Sequence, residues 1–467
     1  MRWLRRRRRR RLLLIGLDSA SPELVFRQFN AHLPHLRQLM AAGQWGVLQS
    51  SVPCITVPAW SSMMTSLDAG TLGIYGFRNR ASWGYDALSS ADSRAVTAPR
   101  VWDVLGQAGK VSVVASVPQT YPVSPVNGWL IADFLTPNHD TTFTYPALLR
   151  AEILQRCPDY PFDAAGYRTT DKPALVHRLM ELSNQQYLIF EHLLRTREWD
   201  FAMHVNMATD RLHHAFWRYH DPQHRLHEPS PVFGTMVRDY YQFVDAWVGR
   251  LLGGFEEPPV VMVVSDHGVK RMDGAVALNQ WLYDNGWLAL RQPLSPGEVT
   301  PFRPDMVDWP RTRAWSAGGY YGRVFLNIRG REPQGCVDPA EADAVADALA
   351  DALRAIPDER GLPMNTRVMR PRDVYQQVNG FPPDLIVYFG DLHWRVVGGL
   401  GYAGWHTLEN DTGPDDANHA EEGLFILADP ESAARGECEP RPLLDIAPTI
   451  LQRMGVPVPS HMQGRAS

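Results

Sequence analysis

The fold is decided by the stretch Val260-Val261-Met262-Val263-Val264-Ser265-Asp266-His267-Gly268, in which an apolar run ends in a polar turn. A short apolar run bounded by a glycine-containing turn is typical of a strand that is buried on both faces. Polar and charged groups at the end of a buried strand are costly without a partner, and a metal ion is the natural one. The stretch therefore predicts a core strand that delivers two metal ligands, Asp266 and His267.

Further apolar runs of this kind recur along the chain and alternate with amphipathic stretches that fit helices. Buried strands that alternate with helices predict an α/β fold with a mainly parallel central sheet sandwiched by helices. The predicted strands are Leu12–Leu17, Val111–Val117, Phe201–Val205, Val260–Val264, Leu385–Phe389 and Leu424–Ala428; the predicted helices are Ala174–Arg195, Phe233–Leu252, Ala340–Ile356 and Leu443–Met454, with Gly455 as the C-terminal cap of the last.

Asp18 directly follows the first predicted strand. Taken alone, it is better explained as the cap of a following helix. In a parallel sheet, however, ligands bind beyond the carboxyl ends of the strands. Asp18 is therefore expected to lie beside Asp266 and His267, although the two segments are far apart in the sequence.

Three other histidine-containing segments offer ligands. Asp210 and His214 are four residues apart, so on a helical turn they share one face and converge on a single cation. His213 points elsewhere on such a turn and is expected at the surface or behind the ligands. His419 and His406 compete for one further position, and each also fits an ordinary polar loop residue.

Thr56 lies in the segment Val52–Ser62, which reads VPCITVPAWSS. A hydroxyl residue two positions before a proline suits a turn that leads into a helix, and the N-terminus of that helix would face an anion. A side-chain turn or a helix cap is the simpler explanation of this segment on its own.

Together these segments resemble the alkaline phosphatase superfamily, in particular its type I phosphodiesterase/nucleotide pyrophosphatase branch, from about residue 12 to residue 455. The strongest matches are Leu14–Asp18, Thr56–Trp60, Thr209–His214 and Ser265–Gly268. The resemblance implies that Thr56 is the nucleophile and that its oxygen lies between two metal ions. The implied ligands of one metal are Asp210, His214 and His419, and those of the other are Asp18, Asp266 and His267. His419 fits the late histidine of the family better than His406, because a short apolar strand follows it closely.

By this resemblance the chain is expected to be a hydrolase that cleaves a phosphodiester or pyrophosphate linkage in a small phosphorylated substrate through a phospho-threonine intermediate. Two divalent cations stabilise the attacking and leaving oxygens in such a reaction. Histidine and aspartate ligands favour Zn²⁺, and Mn²⁺ is compatible with them. A phosphomonoesterase, a phosphomutase and a metal-binding relative without activity are the alternatives. A sulfatase is excluded, since Cys54–Pro58 lacks that family's spacing and arginine.

The segment after the nucleophile departs from the family pattern. Asp68 stands where relatives often carry an asparagine, and Leu72 stands where they often carry a histidine. These differences concern the substrate side of the pocket rather than the metals. Asp68, Arg78 and Arg80 are candidate substrate-binding residues, since an arginine can meet phosphate or carboxylate. Exposed helix-end arginines are an equally good explanation of Arg78 and Arg80.

The length of 467 residues exceeds what one compact core usually fills, so a cap made from insertions is expected. Regions around 136–172 and 292–340 are rich in proline, glycine, threonine and arginine and are the candidate cap segments. The resulting division is a basic tail at 1–11, a catalytic domain at 12–455 with these insertions, and a C-terminal tail at 456–467.

Eight arginines fall within the first eleven residues, although the net charge of the chain is −5. They fit a solvated tail or an upstream start site better than a secretory signal or a tether to anionic lipid or nucleic acid. The rest of the chain is acidic, so no nucleic-acid polymer is expected as a partner. No apolar window reaches the length of a membrane span. The four scattered cysteines predict neither disulfides nor a zinc ribbon, and a cytoplasmic location is expected. The oligomeric state is left open.

Overall fold

The structure of the protein, a computed structural model, describes residues 10–295, 297–408 and 410–467. The strands in chain order are β1 Leu12–Leu17, β2 Gln44–Gln49, β3 Arg78–Arg80, β4 Leu88–Ser90, β5 Ser112–Ala115, β6 Gly128–Ile131, β7 Thr144–Tyr145, β8 Phe201–Asn206, β9 Val260–Val264, β10 Gly268–Arg271, β11 Gly274–Ala277, β12 Ala314–Ala317, β13 Gly322–Leu326, β14 Arg367–Met369, β15 Leu385–Tyr388, β16 Trp394–Val397, β17 His406–Thr407, β18 Ala417–Ala420, β19 Glu422–Ala428, β20 Gly436–Glu437 and β21 Arg441–Pro442.

The α-helices in chain order are α1 Pro34–Ala42, α2 Thr56–Thr65, α3 Ala69–Leu72, α4 Val101–Gln107, α5 Leu149–Arg156, α6 Lys172–Thr196, α7 Ala208–His220, α8 Met236–Gly253, α9 Leu278–Asp284, α10 Ala342–Arg354, α11 Pro371–Val374 and α12 Ile446–Arg453. The four predicted helices correspond to α6, α8, α10 and α12. Gly455 has a φ of 69°, and the N–H of Val456 donates to the carbonyl oxygen of Leu451 at 2.9 Å, so the predicted glycine cap of α12 is confirmed.

The central sheet has ten strands in the order β20-β2-β19-β9-β1-β8-β5-β6-β7, with β21 also paired to β2. Strands β9, β1, β8, β5 and β6 run parallel to one another. Strand β19 is antiparallel to both of its neighbours, and β7 is antiparallel to β6. The prediction of a mainly parallel central sheet is confirmed.

Helices cover both faces of this sheet. Successive side chains of a strand point to opposite faces, so each central strand contributes to two apolar cores. In β1, Leu13, Ile15 and Leu17 belong to a core formed with α1, α5, α6, α7 and α8. Leu12 and Leu14 belong to a second core formed with α2, α4 and α12. Both sets of side chains are fully buried. The sequence of β1 is therefore continuously apolar and does not alternate between apolar and polar residues.

A second unit, residues 274–408, has an apolar core of its own built on α9, α10 and the antiparallel sheet β12-β13-β15-β14. The predicted strand Leu385–Phe389 is β15 of this sheet. Its assignment alongside the strands of the central sheet was wrong. A short apolar run shows that a strand is buried, but the run does not show which neighbours it pairs with.

The segments at the predicted domain boundaries pack into the molecule. Phe143, Leu149 and Tyr160, from the candidate cap segment 136–172, are buried in the core beneath the central sheet. Segment 292–340 lies within the second unit. The C-terminal segment returns to α2, where the N–H of Gln463 donates to the carbonyl oxygen of Ser66 at 2.8 Å. The division into a catalytic domain with cap insertions stays a prediction.

Only part of the predicted basic tail is described, since residues 1–9 lie outside the described residues. Arg10 forms an ion pair with Asp429 at 2.6 Å, and the guanidinium of Arg11 lies 5.0 Å from the ring centre of Trp199. None of the described helices combines the length and apolar character that a membrane crossing requires. The cytoplasmic location stays a prediction.

Gly16 in β1 allows helix α2 to approach the central sheet. A Cβ atom at this position would lie 2.6 Å from Cη2 of Trp60 and 2.8 Å from Cγ2 of Val205, closer than packed carbon atoms come. Trp60 is fully buried and donates its Nε1–H to Oδ2 of Asp18 at 2.7 Å. The absence of a side chain at Gly16 therefore fixes both the packing of α2 and the indole that holds Asp18.

We expect Gly16→Ala to lower the free energy of unfolding by about 1–3 kcal/mol, because the added methyl group overpacks the core. The matched control is Gly253→Ala at the end of α8, where no atom outside the chain neighbours and the backbone of its own helix lies within 4 Å of the added carbon. Alanine favours a helix over glycine, so the control should be neutral or slightly stabilising. Chemical denaturation measures both changes, and equal stabilities of the two variants would contradict this packing argument.

Candidate active site

Three adjacent strands of the central sheet end at one edge and deliver the polar residues of the site. Strand β1 pairs with β9 on one side and with β8 on the other, all three parallel. Asp18 follows β1, and Asp266 and His267 follow β9. Because parallel strands end at the same edge, residues distant in the sequence meet there. The predicted neighbourhood of Asp18 and the Asp266-His267 pair is what the structure shows.

Helix α7 follows β8 and brings two more side chains to the same edge. Asp210 lies in its first turn, and His214 lies one turn later on the same face, with its Nε2 3.2 Å from Oδ1 of Asp210. His419 reaches the same place from β18, which pairs with β10 in an antiparallel ribbon. Its Nε2 lies 3.3 Å from Nε2 of His214 and 3.7 Å from Oδ1 of Asp210.

The remaining ligand candidates form a second group beside the first. Nε2 of His267 lies 3.2 Å from Oδ2 of Asp266 and 3.7 Å from Oδ1 of Asp18. Ligand atoms of Asp210, His267 and His419 also lie within 4.8 Å of one another, so His267 is close to both groups. The aspartates and histidines of both groups are buried, each at most 2% exposed.

The three histidines are each held through Nδ1. His214 donates from Nδ1 to Oδ1 of Asp415 at 2.7 Å. A histidine that binds a metal through one ring nitrogen usually donates the N–H of the other to a carboxylate or carbonyl oxygen in this way. Nδ1 of His267 lies 3.0 Å from the carbonyl oxygen of Gly268, and Nδ1 of His419 lies 3.0 Å from that of Cys54. These contacts place the Nδ1–H on the outer side of each ring and leave each Nε2 facing the carboxylates.

Several of these buried atoms lack a hydrogen-bond partner among the described residues. They are Oδ1 of Asp18, Oδ1 of Asp210, Oδ2 of Asp266 and Nε2 of His267. Buried polar atoms are almost always paired, so a group of unpaired oxygen and nitrogen acceptors at one place requires an explanation. Divalent cations satisfy such a set, because carboxylate oxygens and imidazole nitrogens are their ligands. The residues present therefore fit two metal ions.

The pKa values of the aspartates show how much charge is concentrated here. Burial raises the pKa of Asp18 well above its ordinary value, and the nearby Asp210 raises it further. Burial and then the charge of Asp18 raise the pKa of Asp266 in the same way. Burial also opposes ionisation of Asp210, but His214 and Arg211 outweigh it and hold the pKa of Asp210 well below its ordinary value. Asp18 and Asp266 therefore need additional positive charge nearby to be ionised at neutral pH.

The pKa values of the three histidines also shift in different directions. Burial lowers the pKa of His267 to about 4, and burial together with His267 lowers the pKa of His419 well below its ordinary value. Burial acts against the charge of His214 as well, but Asp415 and Asp210 outweigh it and raise the pKa of His214 to about 9. Two of the histidines are therefore neutral and able to act as metal ligands at neutral pH, and His214 must lose a proton to do so.

Thr56 begins helix α2, as predicted, and is 2% exposed. Two contacts tie this helix terminus to the ligand groups. Trp60, one turn further on the same face of the helix, donates to Asp18 at 2.7 Å. Cys54, two residues earlier, accepts from Nδ1 of His419 at 3.0 Å. The helix N-terminus, which favours anions, thus lies at the edge of the site with Thr56 as its first residue.

Sequence reasoning missed the residues that support the ligands. Arg211 donates to Oδ2 of Asp210 at 2.8 Å and pairs with Asp163 at 3.1 Å. Asp415 holds His214, and the ring of Tyr320 lies 4.9 Å from that of His214. Asp415 and Arg211 are next to recognised motifs and could have been found by that proximity. Tyr320 lies in an unrelated stretch and carries no sequence signal.

The candidate substrate-binding residues have structural contacts. Asp68 caps α3, and its two carboxylate oxygens accept from the N–H groups of Thr71 at 2.6 Å and Gln376 at 2.8 Å. Arg80 is buried and forms an ion pair with Glu332 at 3.1 Å. Arg78 is exposed on β3. The structure does not bring Asp68, Arg78 and Arg80 together with the ligands, and substrate contact by these residues stays a prediction.

The two other histidines that the sequence left open are also placed. Nε2 of His406 lies 2.8 Å from the carbonyl oxygen of Pro357 in the second unit, so it does not compete with His419. His213 is buried rather than at the surface and lies behind the ligands, with Nε2 3.2 Å from the hydroxyl of Tyr241.

The mainly parallel central sheet and the buried aspartate and histidine groups at its carboxyl edge define an α/β protein with a candidate metal centre. The family described as type I phosphodiesterase/nucleotide pyrophosphatase matches residues 12–415. The chain belongs to this family, and it is therefore a hydrolase that acts on phosphoric ester bonds. No curated protein sequence matches the chain.

Solved structures support the fold. Human ectonucleotide pyrophosphatase/phosphodiesterase 5 aligns with a TM-score of 0.56 and 15% identity, over 98% of this chain and 97% of that one. The murine protein of the same name aligns with a TM-score of 0.56 and 14% identity, over 98% and 97% of the two chains. An inactive variant of the murine protein, in complex with AMP, aligns with a TM-score of 0.57 at 14% identity, over 98% and 97% of the two chains.

We expect metal-free protein to lose stability as the pH rises from 6.5 to 9. A folded-state pKa of His214 raised to about 9 contributes stability that is fully present below its unfolded value near 6.5 and is lost as the pH passes through 9. The loss should be on the order of 3 kcal/mol. His267 and His419 are neutral throughout this window, so they do not offset it. Thermal unfolding after treatment with a chelator measures the effect.

His214→Gln serves as the control, because it keeps a polar side chain but removes the titrating group. Its metal-free stability should change much less between pH 6.5 and pH 9. A flat or rising stability of the metal-free native protein over this window would contradict the argument, as would an equal fall in the variant.

Proposed function

We propose that the protein cleaves a phosphodiester or pyrophosphate linkage in a small phosphorylated substrate, using two divalent cations and Thr56 as the nucleophile. One observation carries the proposal. Two adjacent groups of buried carboxylates and imidazoles contain atoms without a hydrogen-bond partner among the described residues, and they lie beside a helix N-terminus that begins with Thr56. This combination supplies ligands, an anion-favouring terminus and a hydroxyl group at one place.

The proposed ligands of one cation are Asp210, His214 and His419, and those of the other are Asp18, Asp266 and His267. When bound, two cations lower the pKa of a coordinated hydroxyl and neutralise charge on the phosphoryl oxygens. The histidine nitrogens favour Zn²⁺, and Mn²⁺ is the alternative.

The residues of the chain account for the rest of the reaction. The α2 terminus orients the phosphoryl group for attack by Oγ1 of Thr56. A bond forms between this oxygen and phosphorus, the bond from phosphorus to one alcohol oxygen breaks, and the proton of Thr56 ends on the released alcohol. Water then cleaves the phospho-threonine bond, and Thr56 regains its hydroxyl proton.

A threonine nucleophile and a nucleotide-like substrate are supported by the murine structure, in which a threonine-to-alanine variant is described as inactive and is bound to AMP. That description belongs to the murine protein. In this chain, Thr56 is the threonine proposed for that role, as the first residue of α2.

A diester or pyrophosphate is favoured over a monoester because a monoester carries an additional negative charge. Among residues 10–295, 297–408 and 410–467, the groups with metal-binding geometry all lie in this one site: Asp210, His267 and His419, and Asp18, Asp266 and His267. The nearby Arg211 and Arg168 already have carboxylate partners, Asp163 at 3.1 Å and Asp415 at 3.0 Å. No spare positive charge for a monoester is thus evident in the described part of the site. Phosphomonoesterase and phosphomutase activities are the alternatives.

We expect the protein to hydrolyse an aryl phosphodiester, and Thr56→Ala to lower kcat by about three orders of magnitude or more, as removal of a covalent nucleophile does. The metal content of Thr56→Ala should stay close to that of the native protein, because the six proposed carboxylate and imidazole ligands are unchanged. Release of aryl alcohol measures activity, and mass spectrometry measures bound metal.

Thr56→Ser is the matched control, since it retains a hydroxyl group and should retain measurable turnover. Activity of Thr56→Ala close to that of the native protein would sink the nucleophile assignment. An aryl monoester hydrolysed much faster than the diester would reject the diesterase assignment and favour the monoesterase alternative.

A further inference from the structure

A cavity of about 600 Å³ opens in the second unit and has no role in the reaction described so far. Its walls come from β12, β13, the β3–β4 hairpin region and the loops around residues 300 and 400. Five aromatic side chains line it: Tyr85, Phe302, Trp315, Phe325 and Tyr402. A volume and lining of this kind are typical of sites for small organic ligands.

The rim of the cavity is apolar as well as its walls. Leu88 and Val299 line it and are 59% and 53% exposed, among the most exposed large apolar side chains of the described residues. Clustered exposed apolar groups beside a cavity mark a binding surface rather than a solvated one. The chemistry of the cavity therefore calls for an occupant with an aromatic or otherwise apolar body.

Arg323 in the cavity wall forms no ion pair with any of the described residues. Arg80 is paired with Glu332 at 3.1 Å, and Asp411 is paired with Arg395 at 3.3 Å. Arg323 also lines the cavity and donates one hydrogen bond to the backbone carbonyl of Arg78. Among the residues that the structure describes, the partner of the Arg323 guanidinium is this carbonyl oxygen, and no carboxylate forms an ion pair with it. An anionic group on the occupant would supply that partner.

The cavity lies next to the proposed metal site. Gly318 lines it, and Tyr320 follows two residues later, a chain distance of at most about 7 Å. The ring of Tyr320 lies 4.9 Å from that of His214 and 4.3 Å from that of His419. Independently, Asn410 lines the cavity and donates to Asp415 at 3.3 Å, the carboxylate that holds His214.

We propose that this cavity binds one alcohol substituent of the phosphodiester, and that it selects an aromatic substituent that carries a negative charge. The inference rests on the proposed function, because it assumes that the phosphoryl group lies at Thr56. It names the part of the substrate that the second unit recognises: the aromatic walls contact the ring, and Arg323 contacts the anionic group.

The test compares three diesters that share a 4-nitrophenyl group and differ in the second alcohol, which is methanol, 2-naphthol or 6-hydroxy-2-naphthoate. Release of 4-nitrophenolate gives kcat/KM for each. The expected order is carboxynaphthyl above naphthyl above methyl, with steps of roughly tenfold, which corresponds to about 1.4 kcal/mol each.

Two variants separate the contributions of the walls and the charge. Arg323→Gln should remove most of the step between naphthyl and carboxynaphthyl and leave most of the step between methyl and naphthyl. Phe302→Ala should reduce the step between methyl and naphthyl. Arg311→Gln is the matched control, since Arg311 belongs to the same unit, is exposed and does not line the cavity. It should keep both steps.

Direct binding of 6-hydroxy-2-naphthoate, followed by its fluorescence, decides the proposal independently of turnover. Saturable binding that Arg323→Gln weakens about tenfold or more and Arg311→Gln does not is the expected result. Absence of binding would overturn the proposal, and so would equal rates on the methyl and naphthyl diesters in the native protein. If no diester is hydrolysed but the naphthoate binds as expected, the proposed reaction fails and the cavity assignment stands.

Discussion

Three carboxylates that share one buried edge of the sheet are the constraint on which the rest of the site depends. Asp18, Asp210 and Asp266 are at most 1% exposed, and each lies at or just beyond the end of a different one of three adjacent strands. Buried negative charges of the same sign repel one another and lose their hydration, so they require compensation. Arg211 compensates Asp210 directly. Within the described part of the chain, Asp18 accepts one side-chain hydrogen bond, from the neutral indole of Trp60, and Asp266 accepts one from the N–H of Ser19 at 3.2 Å.

This imbalance explains features that otherwise look unrelated. Each histidine around the carboxylates is held through Nδ1, which directs its other nitrogen inward as a ligand. Gly16 leaves room for the indole that contacts Asp18. Helix α2 is thereby anchored with its first residue, Thr56, at the edge of the site. Cations in the two groups would relieve the repulsion and supply the charge that a phosphoryl transfer needs.

Much of the core could be predicted from the sequence. The runs around Leu14 and Val263 are strands because uninterrupted apolar residues have no other place than between two layers of helices. Helices α6 and α8 could be predicted because their apolar residues recur at the spacing of a helix with one buried face. Pairing is a different matter, since it depends on the whole chain. The run Leu385–Phe389 is as apolar as the central strands, yet its partners are β13 and β14 of the second unit.

In the site, too, the residues in local motifs could be predicted and those placed by tertiary contacts could not. The proposed ligands stand in short local motifs, and a strand end or a single helical turn is enough to bring each to the edge. Their supporting residues depend on tertiary contacts: Tyr320 comes from the loop between β12 and β13. The same limit applies to Arg80, which lies close to the nucleophile segment in the sequence. Its partner Glu332 is 252 residues away and could not be anticipated.

The central claim is that the buried aspartate and histidine groups hold two divalent cations beside Thr56. Anomalous X-ray diffraction from crystals grown with Zn²⁺, recorded on both sides of the zinc absorption edge, tests it most directly. Two peaks are expected, one bounded by Asp210, His214 and His419 and the other by Asp18, Asp266 and His267. An occupied site elsewhere with no density in these two groups, or a single ion shared by all six side chains, would contradict it.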